Sequence, residues 1–543
     1  MKGLFALLLR SKPQRMQSPL HLSQSQSHSF LFTSMVANKS YLYRPNLCSL
    51  PNFPGLLSNL HYFAHFSTTL SGETWKETGK SSQLEIEIIS EENIKPASPT
   101  PDHLKTYEVS IIDQLLPNIY VPFIYFYPNN INNHQDVNLI PNRRQLLKQS
   151  LSETLTRFYP LAGKVKDSRH IDCNDDGAYY VEAKSSNLLS DFLKQPDDNK
   201  SINNLLPFDP NNSIELFSKT YVVMIQVTVF GCGGIAIGLY TSHKIIDGYS
   251  HATFLKAWAA AARGCSENNI QPSFISPSIF PSIPTLPADA TMLFFPPFSR
   301  KNKRARFVFR ESSITTLKKK AAASSRVMAV TGLIWKCAMA ASSKACSKDS
   351  NCDNIPRSSV LSMAVNIRER SLPPMPPYTM GNIILNTALV SSSAAQYSIT
   401  AIDDLRLNSI IQRLKNSIDF INSDFIEKIQ GKEGSVKVVE LLNETKLFHS
   451  KENTDYIMVN STCNGGIYEA DFGWGGPIWV SVGRTDTDAS LLTNVIVLMD
   501  TRSRKGIEAW VTLREEEMAF LERDPELLAY ASLNPSPLKI VDW

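Results

Sequence analysis

One histidine in the chain stands in a context that suits acid–base chemistry. Of the ten histidines, only His243 is followed four residues later by an acid, Asp247. An imidazole has an ordinary pKa near ~6.5, so its neutral form is available at cellular pH to take a proton from a hydroxyl. An H-x-x-x-D pattern also arises by chance, and by itself it fits a histidine bonded within the core or a turn equally well.

A glycine-centred hairpin is predicted to display His243 at the end of a strand. Residues 220–242 carry no charge and are numerous enough to cross a bilayer. However, β-branched residues flank a Gly-Cys-Gly-Gly cluster, which predicts strand, tight turn and strand rather than a membrane helix. A helix is predicted over 251–263, and Gly248 is expected to allow a sharp turn before it. Functional side chains are often held where such rigid elements end.

The spacing of Asp247 does not by itself define a His–Asp dyad. On a helix, residues four apart share a face, but on a strand-to-turn segment the two side chains can point apart. In that case Asp247 holds the loop rather than the imidazole. A buried carboxylate in that role needs a cationic partner.

A second segment, from Asp471 to Pro477, is predicted to form a tight, irregular loop. It reads Asp-Phe-Gly-Trp-Gly-Gly-Pro. Its first three residues match the D-F-G of protein kinases, but no H-R-D catalytic loop or β3 lysine motif accompanies them, so a kinase is excluded. Glycine and proline in this arrangement favour a turn with special backbone angles.

Together, H-x-x-x-D-G near the middle of the chain and D-F-G-W-G near its end resemble the motif pair of the plant BAHD acyl-CoA-dependent acyltransferases. The resemblance covers about residues 84–543. Its opening, from Ile94 to Gln114, is most similar to the subgroup of vinorine synthase and benzyl-alcohol acetyltransferases, which implies acetyl-CoA and an alcohol acceptor. Further segments agree in the same order: Phe158-Tyr-Pro-Leu-Ala-Gly-Lys164, Leu333-Ile-Trp-Lys-Cys337, Val365-Asn-Ile-Arg368, Gly381-Asn382 and Glu508-Ala-Trp-Val-Thr-Leu513.

The resemblance implies an α/β fold of two similar chloramphenicol-acetyltransferase-like domains, with an active-site channel at their interface. Residues 84–270 are then the N-terminal domain and residues 305–543 the C-terminal domain. Seven prolines fall within the stretch 271–304. Because proline fixes φ and lacks an N–H, we expect an extended crossover there. Residues 1–83 are expected to be a disordered extension.

The resemblance also implies roles for particular residues. His243 is expected to be the general base that activates an acceptor hydroxyl for attack on the thioester of acyl-CoA. Asp247 is expected to turn away from it and pair with Arg368. An acyl-enzyme on Cys337 or Cys463 is the alternative route, although neither lies in a nucleophile motif. The residues expected to support the site without touching the reacting atoms are Asp247, Gly248, Arg368, Asp471, Gly473, Trp474 and Gly475.

Two further sets of residues are candidates for binding. Many relatives have Trp after Ser or Thr ahead of D-F-G-W-G, whereas Ser461-Thr462 stand here, so Thr462 is expected to replace an indole donor and to make room for a bulkier acceptor. Asn382 is the other candidate for the acceptor pocket or for an oxyanion contact. A basic run is more often a solvated face than a phosphate site. The candidates for the phosphates of CoA are Lys301, Lys303, Arg304, Arg306, Lys318 and Lys319.

Composition sets further bounds. The 543 residues are 43% hydrophobic and 20% charged, which is typical of a globular protein of two domains. A formal net charge of +4 is too small to suggest a nucleic-acid partner. The eight cysteines form no C-x-x-C pair, so we expect free thiols and no metal. No membrane span and no oligomer are indicated, and a monomer is expected.

The first 72 residues differ from the remainder. They contain no acid but six Lys or Arg and twelve Ser. This composition is typical of an organellar transit peptide. The resemblance implies a cytoplasmic protein, while residues 1–72 leave mitochondrial or plastid import open. A disordered or untranslated extension explains the same composition.

The sequence therefore predicts transfer of an acyl group, in the first place acetyl, from acyl-CoA to a hydroxyl of a plant specialised metabolite. The acceptor is an alkaloid, terpenoid or benzylic alcohol. Acyl-CoA is expected as a co-substrate, with no permanently bound cofactor. The alternatives are N-acylation of an amine and a catalytically degenerate paralogue that binds ligands without turnover.

Overall fold

The computed structural model describes residues 84–129, 139–196, 202–207, 221–264, 270–287, 290–291, 301–347, 357–391, 406–449, 454–483 and 494–540. Gln83–Trp543 form one compact unit. The expectations for residues 1–83, including an import signal, lie outside the described residues. Within the described ranges, no helix is both long enough and apolar enough to cross a membrane.

The strands and helices alternate along the chain. The strands are β1 (Glu87–Ile94), β2 (Thr106–Glu108), β3 (Tyr120–Tyr127), β4 (Lys164–Val165), β5 (His170–Asp172), β6 (Ala178–Ser185), β7 (Val223–Phe230), β8 (Ile235–Ser242), β9 (Asn302–Phe309), β10 (Ser358–Asn366), β11 (Ile384–Ser391), β12 (Thr454–Ser461), β13 (Trp479–Val482), β14 (Val495–Asp500), β15 (Ile507–Arg514) and β16 (Ala531–Leu533). The helices are α1 (Ile111–Gln114), α2 (Leu139–Arg157), α3 (Leu189–Lys194), α4 (Gly248–Ala262), α5 (Ser276–Ile279), α6 (Glu311–Ala321), α7 (Arg326–Cys346), α8 (Leu407–Asp419), α9 (Ser423–Lys428), α10 (Gly431–His449), α11 (Glu515–Leu521) and α12 (Pro525–Leu528).

A six-stranded sheet with the order β1-β6-β7-β8-β3-β13 presents the His243 segment. Strands β7 and β8 pair antiparallel from Val223↔Thr241 to Val229↔Ile235, which confirms the predicted hairpin. Every residue of both strands is buried, as their continuous apolar runs require. Helices α2 and α4 share one hydrophobic core with this sheet, and the indole N–H of Trp258 on α4 donates to the carbonyl of Leu147 on α2 at 3.0 Å.

A seven-stranded sheet with the order β11-β10-β12-β14-β15-β9-β16 forms the other layer. Its core side packs against helices α6, α7, α8 and α11, through residues such as Leu317, Leu333, Ile410 and Met518. Because side chains alternate across a strand, every second residue of these strands points away from that core.

One strand from the C-terminal part of the chain completes the first sheet. Strand β13 pairs antiparallel with β3, from Trp479↔Phe126 to Val482↔Phe123. The α/β class is as expected, but this exchange means that the sequence ranges 84–270 and 305–543 do not correspond strictly to the two sheets. The division at 271–304 stays a prediction, and strand β9 already begins at Asn302 within it.

The expectation of free thiols is correct for some of the described cysteines and wrong for one. Cys173, Cys232, Cys337 and Cys463 are free. Cys346 is disulfide-bonded, so the expectation was wrong there. In the described ranges, no group of three or more His, Cys, Asp or Glu side chains is placed to hold a metal ion.

Candidate active site

His243 follows directly on strand β8 and lines a cavity of about 610 Å³. This volume lies in the range of small-molecule sites. The backbone N–H of His243 donates to the carbonyl of Ile119 at 2.8 Å, so the residue is fixed to the segment that leads into β3. The expected display of the histidine at a strand end is therefore what the structure shows.

The hydrogen bonds of Asn382 determine which ring nitrogen of His243 carries the proton. Its amide nitrogen donates to the His243 carbonyl at 2.7 Å and to Oδ1 of Asp113 at 2.8 Å. Both partners can only accept, so the amide oxygen must face the imidazole, where it lies 3.0 Å from Nδ1. Nδ1 is then the protonated nitrogen of the neutral ring. Nε2, on the opposite edge, keeps a lone pair, and no described residue bonds to it.

This geometry corrects the prediction for Asn382. The residue is fully buried, and both ends of its amide are occupied by His243 and Asp113. It also does not line the cavity. Asn382 orients the histidine and is no acceptor-pocket or oxyanion contact.

The surroundings of His243 favour its neutral form. Burial lowers the pKa of the imidazole below its ordinary value, and the charge of Asp247 and the hydrogen bond to Asn382 oppose this only in part. Desolvation acts in this direction because it disfavours the charged ring. A lowered pKa favours the neutral ring, which has a lone pair on one nitrogen.

Asp247 turns away from His243 and forms a buried pair with Arg368. The two guanidinium nitrogens lie 2.7 and 3.1 Å from the carboxylate oxygens. The backbone N–H groups of Ser250 and Ile383 also donate to this carboxylate, the first as the N-terminal cap of α4. Burial alone would raise the pKa of Asp247, but Arg368 and these N–H groups lower it, so the pair is ionised.

Gly248 lies close to Thr462 and does not form a left-handed turn. It is the first residue of α4, and its φ lies outside the left-handed region. A Cβ at this position would lie 3.1 Å from Cγ2 of Thr462. The expectation of a special turn was therefore wrong. Thr462 approaches the His243 segment closely, lines the cavity, and directs its hydroxyl weakly at the carbonyl of Leu498, 3.4 Å away.

The cavity lies between the two sheets. One wall carries the end of the first sheet, with Ile119 to Phe123, Thr241 and His251. The opposite wall is the face of the seven-stranded sheet that points away from its helices. Five strands contribute alternate residues to it: Asn302 and Arg304, Ala364 and Asn366, Met458 and Asn460, Val495 and Val497, and Trp510 and Thr512. Mainly apolar walls with a few polar groups are typical of small-molecule sites.

A second histidine of the same cavity, His251, was missed by the sequence reasoning. Its Nε2 lies 2.8 Å from the Tyr125 hydroxyl and its Nδ1 lies 3.3 Å from the hydroxyl of Thr241. Burial lowers its pKa to about 3. With both nitrogens engaged, His251 forms part of the wall and leaves no lone pair to the cavity. No acid follows it at a regular spacing, so nothing in the sequence distinguished it.

The loop from Asp471 to Gly475 lies outside the cavity lining. The carboxylate of Asp471 accepts from the N–H groups of Gly473 and Gly475 at 2.8 and 2.9 Å. Both glycines have positive φ, of +105° and +97°, which L side chains rarely adopt. The ring of Trp474 stacks on Phe472 and lies under the guanidinium of Arg143. The loop is thus built from its own turn and fixed by packing.

The basic residues proposed for CoA phosphates lie in four kinds of environment. Arg306 is fully buried and bonds to Glu508 at 3.0 Å, so its prediction was wrong. Arg304 lines the cavity and donates to the carbonyls of Val482 and Gly483 at 3.1 and 2.9 Å. Lys303 points to the other side of β9 and pairs with Glu522. The outer lysines, for which phosphate contact stays a prediction, are Lys301 ahead of β9 and Lys318 and Lys319 in the last turn of α6.

Comparisons with known proteins agree with this fold. The sequence model of the Transferase family matches residues 84–528. The chain is 39% identical over 469 residues to epi-neemfruitin B 7-O-acetyltransferase of Melia azedarach and 38% identical over 474 residues to limonoid 7-O-acetyltransferase of Citrus sinensis; each alignment covers 84% of this chain and 100% of the relative. The crystal structure of vinorine synthase superposes with a TM-score of 0.68 at 32% identity, covering 83% of this chain and 100% of that one.

The chain therefore belongs to the BAHD acyltransferases of the Transferase family. It is an acyl-CoA-dependent acyltransferase with the two-domain α/β fold of that family.

Proposed function

We propose that this enzyme transfers an acetyl group from acetyl-CoA to a hydroxyl of a polycyclic plant metabolite, in the first place a limonoid-type terpenoid, with His243 as the general base. The observation that carries the proposal is the contact of His243 Nδ1 with the Asn382 oxygen at 3.0 Å, in a residue that lines a cavity between two sheets. This contact assigns the proton to Nδ1 and the lone pair to Nε2. The acceptor class is supported by the two 7-O-acetyltransferases that the chain resembles over most of its length.

The proposed reaction needs one proton carrier. Nε2 of neutral His243 takes the proton of the acceptor hydroxyl, and the oxygen attacks the thioester carbonyl. The tetrahedral oxyanion collapses, the C–S bond breaks, and the CoA thiolate takes the proton back from His243. The Asn382 oxygen accepts from Nδ1–H throughout, which holds the imidazolium in place. Base catalysis of this kind contributes about 10²–10⁴-fold.

A cysteine acyl-enzyme has less support than direct transfer. Cys337 is buried in α7, and burial raises its thiol pKa well above the ordinary value. Cys463 lines the cavity, but burial raises its pKa to about 12. Only the thiolate is an effective nucleophile, and neither site supplies it at neutral pH.

Thr462 is proposed to shape the acceptor side of the cavity. Its methyl group packs over Gly248, and its hydroxyl can turn from Leu498 toward a developing oxyanion. Arg304, Lys301, Lys303, Lys318 and Lys319 are retained as proposals for CoA phosphate contact. We also propose that the enzyme is a monomer that acts in the cytoplasm, with domains at 84–270 and 305–543 and a crossover at 271–304.

The test is release of CoA from acetyl-CoA by the full chain, measured with a panel of acceptors. The panel contains a limonoid with a free 7-hydroxyl, a polycyclic alkaloid alcohol, benzyl alcohol and a matching amine. We expect release with the limonoid that falls about 10²–10⁴-fold in His243→Ala. His170→Ala is the matched control, because His170 lies on β5 outside the cavity lining and pairs with Asp167.

Each other outcome identifies an alternative. Release with another alcohol or the amine changes the acceptor class but keeps the chemistry. Folded protein that binds CoA and releases none with any acceptor is the degenerate paralogue. Release that survives in His243→Ala removes His243 as the base.

A further inference from the structure

Asp113 is a buried carboxylate that lies behind the site and outside the cavity lining. It belongs to α1, and its Oδ2 accepts from the backbone N–H and the hydroxyl of Ser110 at 3.0 and 2.7 Å. Its Oδ1 accepts from the backbone N–H and the side-chain amide of Asn382 at 2.6 and 2.8 Å. Burial raises the pKa of Asp113, and the four donated hydrogen bonds from Ser110 and Asn382 oppose that shift by stabilising the carboxylate.

We propose that Asp113 is a positioning residue for the general base, because it sets the orientation of the Asn382 amide and thereby the tautomer of His243. An amide that rotates by 180° exchanges NH₂ for oxygen at almost no change in shape, so its partners decide its orientation. One hydrogen of Asn382 Nδ2 goes to the His243 carbonyl and the other to Asp113. The His243 carbonyl favours the same orientation, so Asp113 is the second of two acceptors that fix the amide. When Asp113 is lost, the rotated amide, which presents NH₂ to the ring and requires the lone pair on Nδ1, becomes less unfavourable.

Lys244 supports the same arrangement from the other side. It follows His243 directly and is 5% exposed. Its ammonium donates to the carbonyls of Gln114 and Leu116 at 3.1 and 2.9 Å, which are the residues just after Asp113. The segment that carries the base thus also holds the turn that carries the carboxylate. Burial lowers the pKa of Lys244 to about 8, and the charges of Asp113 and Asp167 oppose that shift.

The groups around His243 determine the direction in which its pKa should change when Asp113 is replaced. Asp113 and Asp167 face Lys244, while Asp247, paired with Arg368, is the charge that acts on His243. The hydrogen bond to Asn382 raises the pKa of His243. Loss of Asp113, which lets the Asn382 amide rotate away from this arrangement, should therefore lower the pKa of His243.

The experiment rests on the proposed function for its kinetic part alone. Asp113→Asn is expected to lower kcat about 10–100-fold, the size typical when a residue that orients a functional histidine through another side chain is lost, with KM for acetyl-CoA nearly unchanged. The acid limb of kcat/KM should move to lower pH in Asp113→Asn. Asp175→Asn is the matched control, because Asp175 is a part-buried acid bonded to Lys105 and Thr100 at the surface.

The structural part uses ¹⁵N NMR of histidine-labelled enzyme without acceptor, so it remains decisive if the acceptor or the reaction is wrong. Wild-type His243 should be Nδ1-protonated above its pKa, and Asp113→Asn should increase the Nε2-protonated form. An Nε2-protonated wild type overturns the proposal even if Asp113→Asn fails to fold. So does an Asp113→Asn enzyme with the tautomer and pH profile of the wild type.

Discussion

The segment from His243 to Gly248 and the loop from Asp471 to Gly475 are both short motifs with an acid at one end, but their acids are satisfied in opposite ways. The Asp247 carboxylate depends on Arg368 and the N–H of Ile383, which lie 121 and 136 residues away. The Asp471 carboxylate depends on the N–H groups of Gly473 and Gly475, two and four residues away. The Asp247 carboxylate is therefore satisfied mainly by distant parts of the chain, whereas the Asp471 carboxylate is satisfied within its own turn.

The difference supports the proposal that the chemistry belongs to the first motif and not to the second. A base that must act on two substrates in a cavity between two sheets needs partners from both sides, and Arg368 and Asn382 reach the His243 segment from the second half of the chain. The Asp471 loop has no such contact to the cavity. Its role is to fix the chain ahead of β13, which crosses to the first sheet.

The largest expected effect is a difference in unfolding free energy between Asp247→Asn and Asp471→Asn, the same substitution made at each of the two acids. Asp247→Asn should cost about 3–5 kcal/mol of unfolding free energy and remove activity, because Arg368 would stay buried without its counter-charge. Asp471→Asn keeps an oxygen for both glycine N–H groups and should cost about 1 kcal/mol. Urea unfolding measures both. Equal losses would contradict the distinction between a long-range and a local motif.

An intermediate effect on stability is expected at two glycines, of which Gly248 lies close to another side chain and Gly473 has a positive φ. Gly248→Ala should be destabilising because of its contact with the Thr462 methyl, and Thr462→Ser, which lacks that methyl, should recover about 1 kcal/mol in a double-mutant cycle. Gly473→Ala should cost about 1–2 kcal/mol through its positive φ, with no recovery from Thr462→Ser. Recovery in both or in neither cycle would show that space at Gly248 is not the cause.

The smallest expected effect concerns a residue of the cavity itself. Cys463→Ser should leave kcat within about twofold, because a thiol with a pKa near 12 is no nucleophile at neutral pH. Steady-state kinetics with acetyl-CoA checks this, and mass spectrometry after acetyl-CoA addition should find no acetylated cysteine. A covalent adduct on Cys463 would replace direct transfer by a two-step route.

Local signals in the sequence predicted the elements better than the contacts. The hairpin of β7 and β8 followed from β-branched runs around glycines, and helix α4 from its alanine-rich stretch. Arg368 came from the family resemblance, since nothing near Asp247 in the sequence indicates it. The space requirement at Gly248, the true role of Asn382 and the burial of Arg306 were all missed. Each depends on a residue far away in sequence, and periodicity carries no information about such partners.

The sequence around Asp113 contains a local pattern that predicts some of its contacts but not its link to the site. Ser110 and Asp113 form the S-x-x-D pattern of a capping box, which the structure contains. That pattern predicts the turn of α1 and one oxygen of the carboxylate. The other oxygen is directed at Asn382, 269 residues away, and only the folded structure reveals it.

The pH dependence of kcat/KM tests the central claim, that neutral His243 is the base, most directly. Burial lowers the pKa of His243, so the neutral ring persists to lower pH and the acid limb should fall below pH ~6.5, with one proton involved. His243→Ala should have far lower activity and no such limb, while His170→Ala should match the wild type. An acid limb at or above pH ~6.5 would contradict the lowered pKa. The same limb retained in His243→Ala would show that another group is the base.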